Sequence, residues 1–166
     1  KLSLYKIGVV SDTHIPSRSR TLPKALMEGI SGVDLIIHAG DLLKDYVLYE
    51  LEEIAPVEAV AGNNDDEYIR SMLPHKKIIK AGSFRIGITH GYGRGSNTLY
   101  AALATFMRDN VDCVVFGHSH VPFNDRVNGI LCVNPGSPTD KRSQEHYSYG
   151  IIKVEDSDIS AEIYYF

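Results

Sequence analysis

YKIGVVSDTH, residues Tyr5–His14, changes character at Ser11. Its first six residues are a short apolar run rich in β-formers, which predicts a buried strand. Immediately beyond them stand Asp12 and His14. Working outward, LPKALMEGI (Leu22–Ile30) has helical spacing with Pro near its start, and DLIIHAG (Asp34–Gly40) reads as a second strand. Residues 44–54 have helical spacing and VEAVAG (Val57–Gly62) is a third strand. The β-α-β-α-β order predicts an α/β protein with parallel pairing in its N-terminal half.

The second half differs. KKIIKAGSFRIGITHG (Lys76–Gly91) reads as two strands joined at Gly82-Ser83. Asn97–Asp109 has helical spacing, CVVFG (Cys113–Gly117) is a strand, and Asn128-Gly129 marks another hairpin. SYGIIKVEDSDISAEIYYF closes the chain with two strands around a polar turn. Antiparallel additions to a parallel start predict a mixed sheet and a second sheet packed on the first.

The chain has 166 residues, an apolar fraction of 43% and a net charge of -4, values expected of one globular domain spanning residues 1–166. No basic stripe, long apolar span or charged-then-apolar leader is seen, so neither a membrane nor nucleic acid is an expected partner. Cys113 and Cys132 sit in separate strand-like runs and are expected as reduced core residues, with a disulfide or reactive thiol as the alternative. A cytoplasmic location is the simplest expectation.

Ligands of open α/β sheets bind beyond the carboxyl ends of strands, and five successive strand ends here carry polar chemistry. They are Asp12 and His14; Asp41; Asn63, Asn64 and Asp65; His90; and His118 and His120. Alternate residues of an extended chain point to one side, roughly 6–7 Å apart. Asp12-x-His14 and His118-x-His120 are therefore expected to offer paired donors. Gathered on one edge, this set exceeds the needs of a proton shuttle and suits metal ions. Two-metal sites need about seven or eight donors and a bridging carboxylate. Gly40, Gly62, Gly91 and Gly117 beside these positions permit sharp turns or close approach. Each residue also has a blander reading: Asp41 as a helix cap, Asn63-Asn64 as a turn, any single histidine as a core or turn residue. Those readings must hold separately at five sites. His38, inside a strand, is expected to be structural, and His75, after Pro74, to lie at the surface.

The series Asp12-Thr13-His14, Gly40-Asp41, Gly62-Asn63-Asn64-Asp65, Thr89-His90-Gly91 and Gly117-His118-Ser119-His120 resembles the ordered blocks of the calcineurin-like metallophosphoesterases. NPGSP (Asn134–Pro138) and the short length look most like their small YfcE-like phosphodiesterase branch. The resemblance implies an αββα sandwich of two mixed sheets flanked by helices. It implies two divalent ions, one held by Asp12, His14, Asp41 and His120, the other by Asn63, His90, His118 and a bridging Asp41. Mn²⁺ is the expected activator in vitro, with Ni²⁺, Fe²⁺ or Zn²⁺ as alternatives. The implied reaction is hydrolysis of a small phosphodiester by a water that the ions activate and hold in line with phosphorus.

One position departs from the pattern. Asn64 stands where the family usually has a histidine that protonates the leaving group. Asn64 can hydrogen-bond a substrate oxygen but cannot act as an acid. Asp41, His90 and Asn64 are thus the expected catalytic residues, with Asn64 and Arg142 binding substrate. His146 is a candidate replacement acid, and a solvated loop is the alternative for it and for Arg142. The competing function is a protein-binding module on the same scaffold, as in the related retromer subunit. The presence of His14, His90, His118 and His120 favours the enzyme. A homodimer is plausible.

Overall fold

The computed structural model describes residues 4–92 and 97–166. Its elements, in chain order, are β1 (Tyr5–Val10), α1 (Lys24–Gly29), β2 (Leu35–His38), α2 (Tyr46–Glu52), β3 (Val57–Ala59), α3 (Glu67–Met72) and β4 (Lys76–Ala81). There follow β5 (Phe84–Thr89), α4 (Thr98–Thr105), β6 (Cys113–Val115), β7 (Phe123–Val127), β8 (Ile130–Asn134), β9 (Ser148–Val154) and β10 (Ile159–Tyr165). They form two mixed sheets of five strands, ordered β10-β9-β1-β2-β3 and β4-β5-β6-β8-β7.

Side-chain alternation explains the layering. In β1, Ile7 and Val9 face the second sheet while Val10 faces the helices. In β6 and β8, Cys113, Val115, Leu131 and Val133 face the first sheet, whereas Val114 and Cys132 face α4. The inter-sheet layer also takes Ile37, Ile86, Ile88 and Ile152, all fully buried. Each such side chain contributes roughly 2 kcal/mol by its removal from water. Leu26 of α1, Leu48 and Leu51 of α2 and Ile69 of α3 cover the outer face of the first sheet. Ala102 of α4, with Phe106 just beyond it, covers the second. The order is therefore helix, sheet, sheet, helix, as expected.

The parallel β1-β2-β3 pairing and the β4-β5 hairpin match the sequence reading. Asn128 and Gly129, with φ of 52° and 80°, make the primed turn between β7 and β8. The helices are shorter than their periodic patterns, and β3 stops at Ala59 instead of Gly62. α3 was not expected: it is one short amphipathic piece capped by Asp66, whose side chain accepts from the Ile69 N–H. Cys113 and Cys132 are free and buried on opposite faces of their sheet, which removes the disulfide alternative. No helix among the described residues is long and apolar enough to cross a membrane.

Candidate metal centre

β1 and β2 of one sheet and β5 and β6 of the other end at the same edge, and the polar residues that follow them meet there. The strands stop before the donors begin. Asp12, His14, Asp41, His118 and His120 all have left-handed backbones, with φ of 57°, 46°, 60°, 71° and 62°. This corrects the alternation argument: the D-x-H and H-x-H pairs are aimed by left-handed turns, not by an extended strand. Such backbones are unfavourable for residues other than glycine and cluster at functional sites.

Each carboxylate is oriented by hydrogen bonds on one side. Asp12 Oδ2 accepts from Ser11 Oγ (2.7 Å) and the His118 N–H (3.0 Å). That leaves Asp12 Oδ1 turned inward, 3.4 Å from His120 Nε2 and 3.7 Å from both His14 Nε2 and His90 Nε2. Asp41 accepts from the Asn64 N–H at Oδ1 (2.8 Å) and from Asn64 Nδ2 at Oδ2 (2.9 Å). Asp41 Oδ2 also lies 3.2 Å from His90 Nε2 and 3.4 Å from His14 Nε2.

The histidines sort into two pairs. His14 and His120 have ring centroids 5.2 Å apart, and so do His90 and His118. His90 Nδ1 donates to the Ala39 carbonyl (2.8 Å) and His120 Nδ1 to the Asp140 carbonyl, which aims each Nε2 at the carboxylates. Asn63 Oδ1 and His118 Nδ1 face one another at 3.1 Å. Among the described residues, four buried side-chain atoms have no hydrogen-bond partner: Asp12 Oδ1 and the Nε2 atoms of His14, His90 and His120. The three ring nitrogens all turn towards Asp12 Oδ1, and leaving such atoms buried without a ligand is costly. Donor atoms of Asp12, His14 and His120, and of Asp12, Asp41 and His90, lie within 4.8 Å of one another. The nitrogen and oxygen donor set fits a divalent ion such as Mn²⁺, Fe²⁺ or Zn²⁺.

The charges reinforce this. Burial opposes ionisation of Asp12, but His120, His14 and His90 hold its carboxyl well below the usual range. Burial likewise opposes protonation of His90, yet Asp12 and Asp41 push its pKa up to about 9. His118, partly buried beside His90, is shifted down.

Around the donors lies a rigid frame. A Cβ on Gly62 would overlap the Asp41 carboxylate, and one on Gly117 would overlap Ser11 and Asp12. The Asn134–Pro138 segment forms a tight loop: Asn134 Oδ1 accepts from the Gly136 N–H (2.9 Å), and Ser137 Oγ donates to the Asp12 carbonyl (2.7 Å). Asp65 is a clamp that the sequence reading missed. Its carboxylate accepts from the backbone N–H groups of Asp41 (2.9 Å), Leu43 (2.7 Å) and Gly62 (2.7 Å), tying two strand ends together. Its place in the Gly62–Asp65 block was the available signal. His38 is structural, as expected. Its Nδ1 accepts from the Gly40 N–H and its Nε2 meets Thr13 Oγ1, both at 3.1 Å.

Asn64 and Arg142 line a pocket of about 350 Å³ with His14, Ser17, Arg18, Leu43 and Asp140. Arg18, which pairs with Asp140 at 3.3 Å, was missed because nothing in its local pattern separates it from a solvated loop residue. His146 does not line this pocket; it is exposed beside Glu145 and Tyr165. His75 is exposed, as expected.

Residues 5–157 match the model of the calcineurin-like phosphoesterase superfamily domain. A probable metallophosphoesterase of Methanothermobacter thermautotrophicus is 38% identical over 159 residues, covering 95% of this chain and 90% of that protein. A phosphodiesterase of Methanocaldococcus jannaschii is 28% identical over 145 residues, covering 79% and 82%. Among solved structures, Vps29 of Entamoeba histolytica in complex with Zn²⁺ superposes with a TM-score of 0.77 at 23% identity, covering 96% of this chain and 98% of that one.

Proposed function

This chain belongs to the calcineurin-like phosphoesterase superfamily, and on that premise we propose that it is a two-metal phosphodiesterase acting on small phosphate diesters. The observation that carries this reading is the gathering of four partnerless buried donor atoms, from Asp12, His14, His90 and His120, into two groups that share Asp12. His14 and His120 with Asp12 would hold one ion and His90 and His118 with Asn63 the other; Asp41, close to one histidine of each pair, would serve both. Ions in such a site supply Lewis acidity and an activated water at neutral pH. The chain supplies the rest. The Nδ1 hydrogen bonds of His90 and His120 fix which ring nitrogen faces the site. Asn64 holds Asp41 in place and presents an amide to the substrate, and Arg142 on the same pocket meets a phosphoryl oxygen.

The test is hydrolysis of bis-p-nitrophenyl phosphate by metal-stripped protein, with Mn²⁺, Ni²⁺, Mg²⁺ or no metal added, beside His118→Ala. That leaving group departs without an acid, so Asn64 does not mask activity. Metal-dependent turnover that falls at least a hundredfold in the variant is expected. Folded protein that turns over nothing with any metal overturns this reading in favour of a binding module.

A further inference from the structure

Two recesses adjoin the donor cluster. One holds Asn64 and His14, as described. The other, about 500 Å³, reaches the centre through Asn63 and His90 and extends to Arg70, His75 and Tyr92. Its chemistry is unusual for a protein of net charge -4. Among the described residues lining it there is no aspartate or glutamate, whereas Arg70, His75 and Lys76 all face it. Lys76 is committed to Asp109 at 3.3 Å. Arg70, at the last turn of α3, makes no ion pair among the described residues and is exposed. Tyr92 lines the same recess. Its ring is 66% exposed, yet it is held edge-on against His118, centroids 5.4 Å apart.

A diester has two arms, and two recesses adjoin the centre to receive them. We propose that the larger recess is the subsite for an arm built of a planar ring and a second anionic group, the composition of a nucleoside phosphate. The ring lies against Tyr92, since aromatic faces stack on heterocycles whatever their sequence of polar edges. The second phosphate meets the Arg70 guanidinium, whose fork matches its oxygens. The acid-free lining adds a favourable field along the recess. This inference rests on the diesterase reading and names the class of substrate for the same site.

Two measurements on the full chain separate the inference from that reading. The first needs no catalysis: calorimetric titration of metal-stripped protein with thymidine 3′,5′-bisphosphate and with thymidine. The bisphosphate is expected to bind at least tenfold tighter, Arg70→Gln to weaken it roughly tenfold, and Tyr92→Leu to weaken both ligands. Equal affinity of the two ligands overturns the subsite. So does a bisphosphate affinity that survives Arg70→Gln and is lost in Arg142→Gln, which would place the phosphate in the other recess. The second measurement compares kcat/KM for the p-nitrophenyl esters of thymidine 5′-phosphate with and without a 3′-phosphate, against methyl p-nitrophenyl phosphate. The 3′-phosphate is expected to raise kcat/KM about tenfold in the wild type, and Arg70→Gln to collapse that ratio towards one. Turnover of all three esters with no 3′-phosphate preference sinks the subsite alone. No turnover of any of the three esters sinks the diesterase reading, and the titration still decides the subsite.

Discussion

At Asn64 an amide stands where the family resemblance leads one to expect an imidazole, and its surroundings show what it does. Its backbone and side-chain N–H groups both donate to Asp41, at 2.8 and 2.9 Å. Asn64 is therefore a positioning group with no proton to give. General acid catalysis is typically worth ~10²–10⁴-fold, so alkyl diesters, whose leaving oxygens need a proton, should turn over slowly. Asn64→His is expected to raise kcat/KM on an alkyl diester about tenfold or more at pH values where the new imidazole is protonated. Its effect on bis-p-nitrophenyl phosphate should be small or negative, because the side-chain hydrogen bond to Asp41 is lost. A pH–rate comparison of the two proteins decides this, and no gain at any pH counts against the assignment. His38 makes a second, independent prediction. Burial lowers its pKa from 6.5 to about 4, and the Gly40 N–H that its Nδ1 accepts requires the neutral ring. A depressed folded-state pKa on a base means that the unfolded chain takes up the proton first. The stability that His38 contributes is thus complete above pH 6.5 and lost as pH falls towards 4, a total on the order of 3 kcal/mol. Urea midpoints of the wild type should drop more steeply across that window than those of His38→Gln; parallel curves would show that His38 does not titrate this way.

Elements position these residues by stopping short of them. β1 ends at Val10, β2 at His38 and β6 at Val115, and the donors follow in left-handed turns. Gly62 shows how tight that packing is. A Cβ there would meet the Asp41 carboxylate and backbone, whereas Gly32, in open space, would meet nothing. Gly62→Ala is expected to cost about 2 kcal/mol and to weaken metal binding at least tenfold by displacing Asp41. Gly32→Ala should stay within about 0.5 kcal/mol. Urea unfolding and metal titration of the pair test this, and similar values for both would remove the steric account. The sequence made the strands legible because their apolar runs are short, β-branched and bounded by glycine or polar residues. It made the donor set legible because five runs end alike. It hid the geometry that aims the donors, since Asp and His in left-handed turns carry no local signature and are held there by partners far along the chain. Ser137, for instance, reaches the Asp12 carbonyl across 125 residues. α3 escaped notice because six residues with one fully buried side chain, Ile69, show no period. Asp65 escaped because a clamp on three backbone amides looks, in sequence, like one more acid in a polar turn.

The whole molecule is two sheets sharing one edge, and the donors belong to both. Asp12, His14 and Asp41 follow strands of the first sheet; His90, His118 and His120 follow strands of the second. The inter-sheet apolar layer holds the sheets together below, but at the site the contacts are two carboxylates facing three inward-turned imidazole nitrogens. Protons can partly serve as the countercharge, which is why the carboxylates hold the His90 pKa near 9. Divalent ions serve better, because each meets several donors at once and a pair would leave none of the four partnerless atoms unsatisfied. Ion binding therefore acts on the stability of the sandwich, not only on the loops. Mass action gives the size: an ion at a thousand times its Kd adds about 4 kcal/mol to the folded state. The Tm of EDTA-treated protein is expected to rise by roughly 10 °C or more on saturation with Mn²⁺, in a single transition, since both sheets contribute ligands. Asp41→Asn, which removes the charge between the two histidine pairs, should abolish most of that rise even if its own metal-free Tm is unchanged. A transition that splits in two, or a Tm indifferent to Mn²⁺, Zn²⁺ and Ni²⁺ alike, would show that the convergence of donors from the two sheets does not hold an ion.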